Sequence, residues 1–151
     1  MNNPGKLFLV LILLLASTSS LSALNLGLHG GLISNPGTIT YGLSLETGLL
    51  IPFSKLEFEA GKRIDAEEKF ISGAILFGPR MRAFRPYIGI GVGTEFIRLD
   101  LHFSRYQTFS FLAGGGHFFF NEILSLRFDL RWQNYGELRR TRISSGLFVH
   151  L

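Results

Sequence analysis

Residues 124–133 (LSLRFDLRWQ) alternate large apolar and polar residues without a break. In a β-strand, successive side chains point to opposite faces, whereas an amphipathic helix would repeat every 3.6 residues. The segment is therefore predicted to be a strand with one apolar and one polar face. The apolar face comprises Leu124, Leu126, Phe128, Leu130 and Trp132.

Seven further runs alternate in the same way, and turn residues separate them. The runs are 24–33, 38–49, 55–64, 70–82, 87–97, 106–119 and 142–151, and the predicted connections are 34–37, 52–54, 65–69, 83–86, 98–105, 121–122 and 135–141. Each run reaches the roughly 9–11 residues of a tilted membrane strand, and an even number of strands suits a closed barrel. We predict an all-β protein, an eight-stranded antiparallel up-and-down transmembrane β-barrel.

Residues 1–23 have the order of features found in a cleavable signal peptide. Lys6 precedes an apolar run at 7–16 (LFLVLILLLA), and small residues follow at 17–23 (STSSLSA). The apolar run is about half the length of a membrane-spanning helix, which needs roughly 20 residues. We predict export, cleavage after Ala23 with Ser22 as the alternative, and a barrel domain over residues 24–151.

The composition limits the classes of function. Hydrophobic residues make up 46% of the 151-residue chain, yet no apolar run after residue 23 is long enough for a spanning helix. A closed barrel is the other structure that satisfies its backbone groups within lipid. The formal net charge is +4, but the basic residues are scattered, so no nucleic-acid partner is expected. The absence of cysteine excludes a disulfide framework and thiol chemistry.

The alternation also fits a soluble secreted lipocalin-like barrel, which would bury its apolar face. A membrane barrel turns that face to lipid instead. An eight-stranded interior is only just wide enough for side chains to fill it. The bulky face should therefore point outward, and we expect this of Phe109, Phe111 and Phe119 in the sixth run.

The inward face is predicted to hold opposite charges that balance. Unpaired buried charges are costly, so we predict a salt-bridge network that fills the lumen and leaves no open channel. Its predicted members are Glu46, Glu57, Glu59, Glu95 and Asp129 with Arg80, Arg82, Arg127, Arg131 and Arg142. The candidates for an aromatic belt at the membrane interface are Tyr41, Tyr87, Trp132 and Tyr135.

Three stretches resemble the OmpA- and OmpX-like family of small outer-membrane β-barrels. They are 85–93 (RPYIGIGVG), 111–132 (FLAGGGHFFFNEILSLRFDLRW) and the alternating C-terminal strand that ends in Leu151, where family members usually end in Phe. The resemblance implies a bacterial outer-membrane location and recognition of the C-terminal strand by the outer-membrane assembly machinery. We expect a monomer in contact with outer-membrane lipid and lipopolysaccharide, with the charged clusters 65–69 and 137–142 near lipid phosphates.

No motif predicts a catalytic, cofactor or metal site. Gly89, Gly91 and Gly93 are followed by no helix, so they are expected to make room for larger side chains rather than to bind phosphate. The histidines His29, His102, His117 and His150 share no ligand spacing. The predicted role is structural or interactive, in the cell envelope or at its surface. One alternative stays open, because some eight-stranded barrels are lipid A deacylases that use a His, a Ser and an acid, and Asp100, His102 and Ser104 lie close together.

Overall fold

A computed structural model describes residues 24–35, 37–49, 51–64, 68–100 and 103–151, with the backbone alone at 97–100 and 103–105. The predicted signal peptide and His102 lie outside the described residues, as do the side chains of Asp100 and Ser104. The described residues include no helix long and apolar enough to cross a membrane.

Eight antiparallel strands form a single closed barrel. Each strand pairs with the next one along the chain, and β1 closes the barrel against β8. The predicted eight-stranded up-and-down barrel is therefore confirmed. The strands are β1 (Asn25–Ile33), β2 (Thr38–Gly48), β3 (Ser54–Arg63), β4 (Lys69–Phe77), β5 (Phe84–Asp100), β6 (Phe103–Phe119), β7 (Leu124–Asn134) and β8 (Arg139–His150).

The outward face of the barrel is apolar, and the inward face holds most of the charge. In β7 the side chains of Arg127, Asp129 and Arg131 are buried, while Trp132 is 51% exposed. Large apolar side chains on other strands are exposed as well, with Leu43 at 64% and Ile88 at 71%. The predicted orientation of the two faces is correct for most strands.

The hairpin of β5 and β6 is longer than predicted. Residues 83–86 and 98–105 were expected to be connections, but β5 begins at Phe84 and the two strands pair as far as Asp100 and Phe103. Their neighbours stop earlier, because the last pairs with β4 and β7 are Lys69 with Phe96 and Ser110 with Asn134. The hairpin thus extends past the end of the barrel. A strand needs no apolar face there, so the sequence of the extension lacks the alternation that predicts a strand.

The fourth strand is shorter than predicted. It ends at Phe77, whereas the alternating run continued to residue 82. Pro79 lacks the N–H that a ladder hydrogen bond requires, which accounts for the early end.

The sixth strand has the opposite orientation to the predicted one. Phe109 and Phe111 are each 4% exposed and point into the barrel, and Leu112 points outward. The expectation that such large groups would overfill the interior is wrong, because a glycine stands directly across from each ring. A Cβ atom on Gly91 would meet the ring of Phe111, and one on Gly93 would meet the ring of Phe109. The pairs Gly27 with Phe148 and Gly61 with Phe70 repeat this arrangement.

Two of the four predicted belt aromatics lie inside the barrel instead. Tyr87 and Tyr135 are buried, and Tyr41 and Trp132 point outward. Tyr87 follows the alternation of Gly89 and Gly91, which places its phenol among the interior charges, where it donates to Asp129 Oδ1 at 2.5 Å.

Candidate functional site

The interior of the barrel has an apolar side and a charged side. The apolar side is formed by β4, β5 and β6, with Ala74, Leu76, Tyr87, Phe109, Phe111 and Ala113. The charged side is formed by β1, β2, β3, β7 and β8. The guanidinium of Arg131 lies over the ring of Phe111 at 4.7 Å, and that of Arg127 lies over Tyr87 at 5.0 Å. These cation–π contacts join the two sides.

Arg127 is the first of three arginines at the centre of the charged side. It donates to both carboxylate oxygens of Glu57 at 3.0 Å, which is the strong bidentate arrangement. The same guanidinium donates to Glu46 at 3.0 Å and to Asp129 at 3.1 Å. Its Nε donates to the Tyr87 hydroxyl at 2.7 Å. Every donor direction of this buried side chain therefore has an acceptor.

Arg131 and Arg142 continue the network toward the other end of the barrel. Arg131 donates to Asp129 at 2.6 Å, to Glu59 at 2.5 Å and to Glu57 at 2.7 Å. Arg142 donates to both oxygens of Glu59, at 2.6 and 2.8 Å. The carboxylates thus each bridge two cations, which offsets the cost of removing them from water.

The network closes the lumen. The space left between its side chains is a cavity of about 10 Å³, which is about the room for one water molecule. The predicted salt-bridge network in the interior is present, and it fills this central part of the barrel.

Two predicted members of the network are wrong, and three members were missed. Arg80 and Arg82 are exposed, because β4 ends before them and they lie in the β4–β5 connection. The interior network instead includes Lys55, Arg63 and Arg140, which lie at even spacings from Glu57 or Arg142 on their own strands. The alternation alone could have identified these three residues.

One end of the barrel carries the start of β1 and the end of β8. There, a series of hydrogen-bonded side chains leads from His150 at the surface to Glu46. His150 Nε2 lies 2.8 Å from Ser125 Oγ, and that hydroxyl lies 3.2 Å from His117 Nδ1. His117 Nε2 lies 3.0 Å from Glu46 Oε1. Hydroxyl, imidazole and carboxylate follow the order of a nucleophilic triad, but Ser125 has no exposed surface. The arrangement therefore holds a buried polar chain together and offers no access to a substrate.

At the opposite end, a second cluster surrounds Glu95. Arg63 and the hydroxyl of Tyr135 both donate to this carboxylate, and Arg140 lies 3.5 Å from it. Arg63 also donates to Glu68 at 2.5 Å. Tyr135 lies in the β7–β8 connection, and its burial, followed by its hydrogen bond to Glu95, raises its pKa above the ordinary value. The phenol is therefore a protonated donor that helps to seal this end.

The histidines are distributed between separate surroundings. His117 and His150 belong to the chain near Ser125, while His29 lies beside Glu59, with 3.1 Å between Nε2 and Oε1. Among the described residues, no three His, Asp or Glu side chains are grouped in a way that could hold a metal ion.

No protein-family model and no curated protein sequence matches the chain. Solved structures with a similar fold include the N-terminal β-barrel domain of Pseudomonas aeruginosa OprF, with a TM-score of 0.74 at 16% identity over 86% of this chain and 98% of that chain. Neisserial surface protein A has a TM-score of 0.65 at 12% identity, over 84% and 95%. The outer membrane enzyme PagL has a TM-score of 0.53 at 12% identity, over 84% and 98%.

The fold and the interior together define the chain as an eight-stranded up-and-down β-barrel with a filled, charged lumen. It has the fold of these small barrels, the OmpA- and OmpX-like fold that the sequence motifs predicted. A fold shared at such identities carries no activity with it.

Proposed function

We propose that this protein is a bacterial outer-membrane barrel, a monomer that stabilises the envelope or presents its loops at the surface, without an open channel. The observation that carries the proposal is the apolar outward face. Large exposed apolar side chains lie on seven of the eight strands, among them Leu28, Leu43, Ile88, Leu112 and Ile143, and on β3 Leu56 and Phe58 are half-buried. Soluble monomers rarely expose contiguous apolar patches beyond roughly 300–600 Å², so this surface supports the proposal that lipid surrounds the barrel.

The outward-facing charges support the same placement. Among the described side chains of the strands, Lys62, Lys69 and Arg139 are the charged groups that point outward, and all three lie near the end with the 34–37 and 135–138 connections. The apolar band below them holds Leu43 and Phe128. Charges at the edge of an apolar band suit a membrane interface, because an Arg or Lys at the midplane would cost about 2–4 kcal/mol.

We further propose that this edge contacts the phosphates of outer-leaflet lipopolysaccharide. A continuous row of directly paired residues crosses β2 to β6 there, consisting of Tyr41, Lys62, Lys69, Phe96 and Tyr106. Lys62 and Lys69 stand opposite each other, an arrangement that is unfavourable unless an anion lies between the two ammonium groups. Phe96 and Tyr106 meet edge to face, with 5.3 Å between ring centroids, beside this pair.

The charged clusters expected to contact lipid are revised by the side-chain directions. Residues 65–67 lie outside the described part of the chain, and Glu68 is engaged by Arg63. Arg140 and Arg142 point into the barrel toward Glu95 and Glu59. Lys62, Lys69 and Arg139 replace them in the proposal.

A catalytic role is the second candidate, through the fold shared with the enzyme PagL. The structure describes neither His102 nor the side chains of Asp100 and Ser104. The enzyme candidate therefore rests on the shared fold and on the closeness of these three residues in the sequence. Mass spectrometry of lipid A tests it. An unchanged lipid A mass on expression of the protein would agree with the non-catalytic proposal, and a shift abolished by His102→Ala would replace it.

The membrane location is tested with the chain's single tryptophan. Trp132 points outward from β7, so its emission should be blue-shifted in bilayers and quenched by lipids brominated in their acyl chains. The same sample should migrate differently before and after boiling on a detergent gel. A water-soluble product with Trp132 emission insensitive to brominated lipid would support the lipocalin-like alternative.

The lipopolysaccharide contact is tested separately. The double variant Lys62→Gln, Lys69→Gln should lose the stabilisation that lipopolysaccharide-containing bilayers give the parent barrel. The control is Arg82→Gln, which removes an exposed charge at the opposite end of the barrel and should retain the stabilisation. Equal stabilisation of both variants would contradict the proposed contact while leaving the membrane location intact.

A further inference from the structure

A second cavity opens at the end of the barrel that carries the β2–β3, β4–β5 and β6–β7 turns. It measures about 340 Å³ and is open to the surface, within the size range of small-ligand sites. Three cationic side chains from different segments line it, namely Lys55, Arg80 and Arg85, and the imidazole of His150 borders it. We propose that this cavity is a binding site for a phosphate-type oxyanion, free or carried on the headgroup of a lipid.

Arg85 carries the argument, because it is a buried charge without an acidic partner. It is 7% exposed, and its donors reach backbone carbonyls: Nε donates to Gly78 O at 2.9 Å, and Nη2 donates to Phe53 O at 3.1 Å. A guanidinium presents five donors, so these two bonds leave donors for a further acceptor. Removing a charge from water is costly unless an opposite charge is supplied.

The contrast with the other buried arginines makes Arg85 unusual. Arg63, Arg127, Arg131 and Arg142 each form ion pairs with one or more carboxylates. Within the part of the chain that the structure describes, no carboxylate forms an ion pair with Arg85 or with Arg80. Arg80 lies over the ring of Phe119 at 4.4 Å, at the wall of the same cavity. Arg80 and Arg85 therefore face the cavity without a carboxylate partner among the described residues.

Two further charged groups of the cavity affect how well it would bind an anion. Lys55 Nζ contacts Glu46 at 3.0 Å, and an ammonium group has three donors, so two remain. Glu122 is the acidic residue in the lining, and it forms no ion pair within the described chain. It is exposed at the rim, so it should repel an incoming anion rather than occupy the site.

The walls add an apolar component. Phe53 and Phe119 line the cavity, and exposed apolar side chains occur in all three turns at this end, with Ile51, Met81 and Phe120 as examples. An anion with an apolar substituent would contact both features. Arginine forks match the oxygens of phosphate groups bidentately, which favours that class of anion.

The test uses the whole refolded barrel in a maltoside detergent that contains no phosphate, so it does not depend on the proposed membrane location. Inorganic phosphate is titrated while the unfolding temperature and the amide NMR shifts are followed. We expect saturable stabilisation of the parent, since a ligand that binds the folded state alone stabilises it. Chloride at equal ionic strength is the reference salt.

Three variants give opposite expectations. Arg80→Gln should weaken phosphate binding about tenfold, equivalent to about 1.4 kcal/mol, and Glu122→Gln should strengthen it several-fold. Arg82→Gln, an exposed cation of the β4–β5 connection that does not line the cavity, should leave it unchanged. Arg85 is not replaced, because it also holds the backbone carbonyls of Gly78 and Phe53 and its loss would affect folding. Arg80 and Glu122 are exposed, so their variants test binding without disturbing the fold.

Two short-chain lipids distinguish the sources of the anion. Phosphatidylglycerol carries a phosphate in its headgroup, and a neutral glycolipid, which carries none, is the control. Tighter binding of phosphatidylglycerol than of phosphate identifies a lipid headgroup, and equal binding identifies the free anion. Either result supports the site, provided that Arg80→Gln and Glu122→Gln shift the affinity in opposite directions. Absence of saturable binding to the parent, or equal affinity in both variants, overturns the proposal.

Discussion

The ring of Phe111 occupies the space that a Cβ atom on Gly91 would need, directly across the pairing of β5 and β6. The contact places a large ring inside a narrow barrel without displacing its neighbours. Phe111 in turn lies beneath the guanidinium of Arg131. A glycine in one strand thereby supports the position of a charged residue two strands away.

Gly91→Ala should destabilise the barrel, because the added methyl group would collide with the Phe111 ring and with the carbonyl of Gly73. Overpacking of this kind costs about 1–3 kcal/mol, measurable by urea unfolding in bilayers. Gly114→Ala is the matched control on the outward face of β6, where the nearest atom, on Trp132, would lie 4.0 Å away. Equal stability of the two variants would show that the ring does not depend on its opposing glycine.

Replacing Arg127 and Arg131 together by Gln should lower the temperature at which the folded band disappears on a heat-modifiability gel. Breaking one buried ion pair by removing a partner costs about 3–5 kcal/mol, and here Glu57 and Asp129 would both lose cations. The control double variant Arg82→Gln, Arg139→Gln removes the same charge from exposed positions. If both double variants melted with the parent, the interior network would have no stabilising role.

The cost of placing an arginine on the outward face should depend on its depth in the membrane. Leu43→Arg, in the middle of β2, should cost about 2–4 kcal/mol in bilayers, and Ile39→Arg, near the strand end, about 0–1 kcal/mol. Both parent residues are exposed, at 64% and 50%, so a water-soluble barrel would tolerate both substitutions alike. Unfolding free energies in lipid vesicles measure the difference.

Tyr135→Phe should loosen the seal around Glu95. The variant removes the donor hydroxyl and leaves the carboxylate with Arg63 and Arg140. Loss of a hydrogen bond to a buried charged group costs about 1–3 kcal/mol. Tyr106→Phe, an exposed tyrosine on the outward face, is the control and should change little.

The same residue predicts a dependence on pH. The pKa of Tyr135 is raised in the folded state, so the unfolded chain loses this proton first, near pH 10. The unfolded state then binds fewer protons than the folded state, and stability falls as the pH rises through that range. Tyr135→Phe should lose this part of the decline, whereas a decline equal to that of the parent would assign it to other groups.

The sequence by itself determined the strand count, the antiparallel order and the identity of the apolar face. Alternation is a local property, and it is set by the geometry of a single strand. It therefore placed Glu57, Asp129 and Arg131 on one face and Leu43 and Trp132 on the other. The same alternation also predicts that Lys55 and Arg63 point inward, because they lie at even spacings from Glu57. Their position at the ends of a charged segment made this less evident.

The tertiary structure alone decided which cross-strand partners meet. The inward rings of Phe109 and Phe111 depend on Gly93 and Gly91 standing opposite them, and that depends on register. The exposed position of Arg80 at the barrel end depends on where β4 ends. Arg85 lacks an ion pair because no carboxylate of the described residues reaches it. Register and closure join residues far apart in the chain, so no local pattern contains them.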